Sequence, residues 1–91
     1  MKVAINKDYG GFGLSKAAYK ELGLEWDGYG KAYQDKRTDP KLIAVIEKLG
    51  VQKASGPSSS IKVIDIPDDV KWTIEQCDGK EWVAEEHSIW D

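Results

Sequence analysis

Ninety-one residues make one domain of 1–91 rather than two, and a chain this short removes only roughly 60–65% of its surface from water. Sixteen acidic residues against thirteen basic ones leave a formal charge of -3, which argues against the strong basic footprint of a duplex nucleic-acid binder. Cys77 is the only cysteine, so neither an intrachain disulfide nor a four-cysteine zinc site is available.

Residues 1–10 carry Lys2, Lys7 and Asp8 and no long apolar run. The expectation is therefore neither a signal peptide nor a membrane span, with the cytoplasm as the compartment. Val3 and Ile5 alternate with polar neighbours and predict a short strand over 2–6. Tyr9-Gly10-Gly11-Phe12-Gly13 then breaks regular structure, and Ser15 opens a helix over 15–22 as its N-cap. Leu14 and Tyr19 occupy the two positions of a hydrophobic staple, Ala18 and Leu22 extend the apolar face, and Gly23 supplies the stop.

Residues 24–38 fit neither period. They hold Trp26, Tyr29 and Tyr33 among glycines and charges, and end beside Arg37, the one arginine against twelve lysines. An irregular segment of this length in so small a domain is usually functional or mobile. Asp39-Pro40 begins the clearest helix, with Leu42, Ile43, Val45, Ile46 and Leu49 as its stripe and Gly50 as its end. Residues 51–60 read as a small, polar connector. Three strands are predicted over 61–66, 70–76 and 80–85, with Asp78-Gly79 as a hairpin turn and Trp82 on one face of the last. The fold class is α+β: two amphipathic helices on a small, mainly antiparallel sheet that ends in a three-strand meander.

Gly10, Gly11 and Gly13 would let backbone N–H groups gather around a carboxylate or phosphate. Their spacing matches neither the dinucleotide fingerprint nor the P-loop, and a tight strand-to-helix connection with Phe12 in the core is the favoured account of them over a ligand loop. Trp26, Tyr29 and Tyr33 can stack a flat ring while Arg37 takes a negative group, or they can cover one end of the sheet. Glu85-Glu86-His87 offers a single His with no second nitrogen or thiolate ligand, a poor metal site, and Cys77 has no base in reach by sequence. No catalytic residue, metal or cofactor is expected.

The strings Ile5-Asn6-Lys7-Asp8-Tyr9-Gly10-Gly11-Phe12-Gly13-Leu14-Ser15, Asp39-Pro40, Lys53-Ala54-Ser55-Gly56, Val63-Ile64-Asp65-Ile66-Pro67-Asp68-Asp69-Val70-Lys71-Trp72 and Asp78-Gly79-Lys80-Glu81-Trp82-Val83-Ala84-Glu85-Glu86-His87 follow one another in order. Together they resemble a family of short hypothetical proteins from phage genomes and bacteria. In that family a basic residue follows the His, where Ser88 stands here. The resemblance implies a phage-type binding protein. One form is an anti-defence sponge, a homo-oligomer that sequesters a nucleotide-derived host immune signal between its protomers; the alternative is a module that binds and inhibits a host protein. The expected partner is thus a small anionic or nucleotide-like ligand or a host protein, and neither duplex nucleic acid nor membrane. The candidate ligand surface comprises Tyr9, Gly10, Gly11, Phe12, Trp26, Tyr29, Tyr33, Arg37, Trp82, His87 and Trp90.

Overall fold

The computed structural model describes residues 1–85 and the backbone of 89–90. The elements are β1 (Lys2–Asn6), α1 (Lys16–Leu22), α2 (Pro40–Ala54), β2 (Ile61–Asp65), β3 (Trp72–Cys77), β4 (Lys80–Glu85) and β5 (Ile89–Trp90). The α+β class predicted from the sequence is the class observed.

The helix ends follow the local chemistry. Ser15 caps α1 by accepting from the Ala18 N–H at 3.1 Å, and Gly23 ends it in the left-handed conformation. Asp39 accepts from the Lys41 N–H at 2.9 Å and Pro40 opens α2. Gly50 is not the end of that helix. Its φ of 82° and ψ of 166° break the chain direction, after which Val51 to Ala54 add a further turn that closes on Ser55. A helix-stop residue here acts as a kink, because Ala54 on the far side still has core to bury against.

The sheet differs from the expected meander. Residues 61–66 do not join 70–76 and 80–85; β2 pairs antiparallel with β1, from Lys2 opposite Asp65 to Asn6 opposite Ile61. The pairing runs one step further at each end, through Ile66 N–H to Met1 O at 2.8 Å and Lys7 N–H to Ser60 O at 2.8 Å. Separately, β3 and β4 form a hairpin to which β5 adds a short third strand. Asp78 and Gly79 both have positive φ, 51° and 93°, as a two-residue hairpin turn requires. β3 starts at Trp72, two residues later than expected.

β1 lies between two apolar clusters. Ala4 faces the helices with Phe12, Leu14, Tyr19, Leu42, Ile46 and Ile61. Val3 and Ile5 face the other way, onto Ile66 and Val83, with Trp72 and Ile74 at the margin. Successive side chains of a strand point to opposite faces, so a strand covered on both sides buries every residue from Val3 to Asn6. No helix among the described residues is long and apolar enough to cross a membrane.

Candidate functional site

Arg37, the sequence's best candidate for an anion anchor, is buried within the protein. Its side chain is 8% exposed. Nη1 donates to Glu81 Oε1 at 2.6 Å and Nη2 to Glu81 Oε2 at 2.8 Å. Nε donates to the Gln34 carbonyl at 2.8 Å, and Nη1 also reaches the Ala4 carbonyl at 3.3 Å. The guanidinium carbon lies 3.8 Å from the centre of the Phe12 ring. Burying a guanidinium is costly unless its charge is paired and its donors are satisfied, and this geometry pairs the charge and gives four of the five N–H groups a partner. The fork that would grip a ligand's carboxylate or phosphate is filled by a carboxylate of the same chain. The partner is neither Asp35 nor Asp39, the two acids beside it in sequence.

The network extends through Asn6, which is fully buried. Its backbone N–H donates to Glu81 Oε1 at 2.7 Å. Its side-chain amide donates to the carbonyls of Asp8 (2.6 Å) and Gly79 (2.8 Å), and its oxygen accepts from the N–H groups of Asp8 (3.1 Å) and Ser60 (2.9 Å). Asn6 thereby ties β1 to its own following loop, to the hairpin turn and to the start of β2.

The glycine-rich loop over residues 9–15 is tied to distant parts of the chain through both its carbonyls and its N–H groups. Phe12 O accepts from Lys31 Nζ at 2.8 Å, and Gly13 O accepts from the Gly56 N–H at 2.9 Å and the Ser59 hydroxyl at 2.7 Å. Leu14 N–H donates to Gly30 O at 2.8 Å, and Phe12 is 2% exposed. The hairpin turn packs against the same loop so closely that a Cβ on Gly79 would lie 2.4 Å from the Gly11 nitrogen. These contacts favour the connecting role over an anion-binding loop. Tyr9 stands outside the packed part, 62% exposed, with Lys80 Nζ 5.5 Å from its ring centre.

Residues 24–38 contain turns but no helix or strand, and they are pinned from below. Tyr19 of α1 donates its hydroxyl to Asp27 Oδ2 at 2.8 Å and accepts the Ala32 N–H at 2.8 Å. Asp27 Oδ1 accepts from the N–H groups of Tyr29 and Gly30, each at 2.8 Å. Those two backbone donors hold the Asp27 carboxyl below its ordinary value, and burial pushes the Tyr19 phenol up. The Trp26 ring meets Tyr19 edge-on, 5.0 Å between centres at 72°, and Lys16 Nζ lies 5.8 Å from the indole. On this braced loop Leu24 is 39% exposed, Trp26 37% and Tyr29 79%.

Beside it, Tyr33 adopts a left-handed backbone, φ 65°, and lines a cleft of about 390 Å³ with Leu24, Lys31, Ala32, Gln34, Asp35 and Lys36. Of the residues singled out in the sequence, Tyr33 alone lines this cleft. Phe12 and Arg37 are brought together, but in the interior. Gly10 and Gly11 lie in the packed loop, and Trp82 is half-buried on β4. His87 and the side chain of Trp90 lie outside the described residues. Among the described residues no group of three or more His, Cys, Asp or Glu is placed to hold a metal ion.

Sequence reasoning missed Asn6, Glu81 and the Tyr19–Asp27 pair. A signal for Glu81 was present: it shares strand parity with Val83, so an inward Val83 places a carboxylate inward too, where it needs a cation. Comparison of the chain with family models, curated proteins and solved structures finds no match to any of them.

Proposed function

We propose that this chain is a non-catalytic binding protein that docks on a partner protein through the exposed apolar side chains of Leu24, Trp26 and Tyr29, in the manner of a phage-type inhibitor of a host protein. The carrying observation is the 79% exposure of Tyr29 on a loop whose backbone is fixed by Asp27. Exposed aromatic rings on a pre-ordered loop are favoured anchors, because they bring large apolar area at little cost in ordering. The internal pairing of Arg37 supports the same reading, since it removes the one guanidinium from a small-ligand site on the monomer. The experiment is retention of host proteins from extract by immobilised wild type and Tyr29→Ala, followed by calorimetry with the purified partner. A partner held by wild type and lost by Tyr29→Ala supports the reading; a partner held equally by both overturns it.

The cleft beside Tyr33 favours a second reading, an anti-defence sponge for a nucleotide-derived signal. Its volume of about 390 Å³ lies within the range of small-ligand pockets, and Lys31 and Lys36 at its wall supply positive charge. A thermal-shift series with cyclic and linear nucleotides tests it, because a ligand that binds the native state raises apparent stability by mass action. Stabilisation abolished by Lys36→Ala supports the cleft; no shift with any nucleotide removes it.

A further inference from the structure

The cleft beside Tyr33 and the exposed side chains of residues 24–29 share a residue. Leu24 is 39% exposed and also lines the cleft, together with Lys31, Ala32, Tyr33, Asp35 and Lys36. One hydroxyl ties the two parts to the same buried ring. Tyr19, 2% exposed, donates to Asp27 Oδ2 and accepts the N–H of Ala32 on the cleft wall, each at 2.8 Å. The surface is therefore set before a partner arrives, which lowers the ordering cost of docking.

The charges along it are uneven. Lys31 and Lys36 stand on the cleft wall, and neither ammonium meets a carboxylate among the described residues; Lys31 Nζ donates to the Phe12 carbonyl at 2.8 Å. Lys16 Nζ lies 5.8 Å from the centre of the Trp26 ring. Two acids of the same stretch are already engaged. Glu21 pairs with Lys48 Nζ at 2.7 Å, and the Asp27 carboxylate takes the Tyr19 hydroxyl and the N–H groups of Tyr29 and Gly30. Of the others, Glu25 is exposed and Asp35 stands on the cleft wall, so two ammonium groups share that wall with one carboxylate. The chain as a whole carries -3.

Resting on the protein-docking reading above, we infer that the partner presents an extended acidic segment. One apolar side chain of that segment enters the cleft against Leu24, Ala32 and Tyr33, and flanking Asp or Glu carboxylates meet Lys31 and Lys36. The apolar members of the wall suit a side chain with little water to shed, whereas a phosphate pressed against them loses hydration without gaining a partner. Carboxylates on the incoming segment are drawn to a wall that is locally positive on a negative chain, which sets its orientation and speeds encounter.

A displayed random-peptide library, panned on the immobilised chain, is the probe, and fluorescence anisotropy with the enriched peptides gives their affinities. Those peptides should carry one large apolar residue between acidic ones. Their binding should be lost on Tyr29→Ala, fall about tenfold or more on Lys36→Glu, and weaken as salt is raised. Peptides lost on Tyr29→Ala but without acidic residues, or indifferent to Lys36→Glu, overturn the acidic segment and leave the docking reading standing. Peptides held equally by wild type and Tyr29→Ala overturn the docking reading, and the acidic segment with it. A library that yields no enriched peptide overturns the acidic segment, as does a nucleotide that occupies the cleft without displacing the peptides. Lys36 is exposed, so Lys36→Glu should keep the wild-type circular dichroism; if it does not, the salt dependence of the wild type decides.

Discussion

Arg37 and Glu81 meet through two parallel hydrogen bonds of 2.6 and 2.8 Å, 44 residues apart in sequence and buried on both sides. The pair joins the irregular segment before α2 to the second strand of the hairpin, and Asn6 of β1 shares its carboxylate. Removing one member of such a pair leaves a buried charge without compensation, which typically costs about 3–5 kcal/mol. Glu81→Ala is therefore expected to lose about that much in urea unfolding. The double variant Arg37→Met with Glu81→Leu should recover part of the loss, and only part, because the Asn6 N–H still lacks its acceptor. A loss under about 1 kcal/mol for Glu81→Ala would place the pair in water.

Arg37→Lys separates the internal role from a ligand role. Lysine keeps the charge and gives up the planar fork. Stability should fall, while the affinity of any ligand or partner found for the protein stays the same once the variant is folded. Calorimetry on the folded variant checks this. A selective loss of affinity would show Arg37 at a binding site in spite of its burial.

Ile46, 3% exposed in the helix-side cluster, should lose about 2–5 kcal/mol on substitution by Ala. Trp72 is half-buried at the margin of the hairpin-side cluster, so Trp72→Ala should cost less than its size suggests. Chemical denaturation of both variants ranks them, and a larger loss at Trp72 would contradict the exposure seen.

The starts of both helices, the end of α1, the hairpin turn and the span of β4 were legible in the sequence because each is written locally: Ser15, Pro40, Gly23 and Asp78-Gly79 act on neighbours within a turn, whereas Gly50, read as the end of α2, is a kink inside it. The pairing of β2 was not. Residues 61–66 are apolar enough to pair with either flank, and the choice of β1, some sixty residues away, rests on covering Val3 and Ile5 on one face and Ala4 on the other. The same distance hid Arg37's partner. Its neighbours Asp35 and Asp39 offered carboxylates nearby in sequence, whereas burial selected Glu81, whose strand parity carries it inward. Tyr29 and Trp26 were visible as rings without a period, but their exposure depended on Asp27 accepting from Tyr29 and Gly30, which no spacing discloses.

Asp27 gives a pH-dependent test. Its folded carboxyl lies below the ordinary 3.8, held there chiefly by the Gly30 and Tyr29 N–H groups. Such a group adds stability that is fully present above the unfolded value and is lost as pH falls through the folded one. Asp27→Asn cannot ionise, so the stability gap between wild type and variant should narrow between about pH 5 and about pH 2. Urea midpoints across that range measure it; a gap that widens on acidification would contradict the assignment.

Gly79→Ala tests the close approach of the hairpin turn to the glycine-rich loop. Its backbone has φ 93°, and a Cβ would lie 2.5 Å from Tyr9 O as well as 2.4 Å from the Gly11 nitrogen. Gly23, φ 75°, has nothing within 4 Å of its Cβ position. Gly23→Ala should cost only the left-handed backbone, about 1–2 kcal/mol, and Gly79→Ala clearly more. Equal losses by denaturation would mean that the turn can draw back.

The seating of β1 also orders events as the chain is made. Residues 2–6 are made before the other described elements, yet their in-plane partner ends at Asp65 and the carboxylate that meets the Asn6 N–H is at position 81. Contacts this distant in sequence are slow to close. A nascent chain halted at Cys77 therefore contains the sequence of both helices and β2 but lacks Glu81, the partner of Arg37. The Glu81 bonds to Arg37 and to the Asn6 N–H can form only once the hairpin has been made, so β1, the earliest of the described elements, is fully bonded only then.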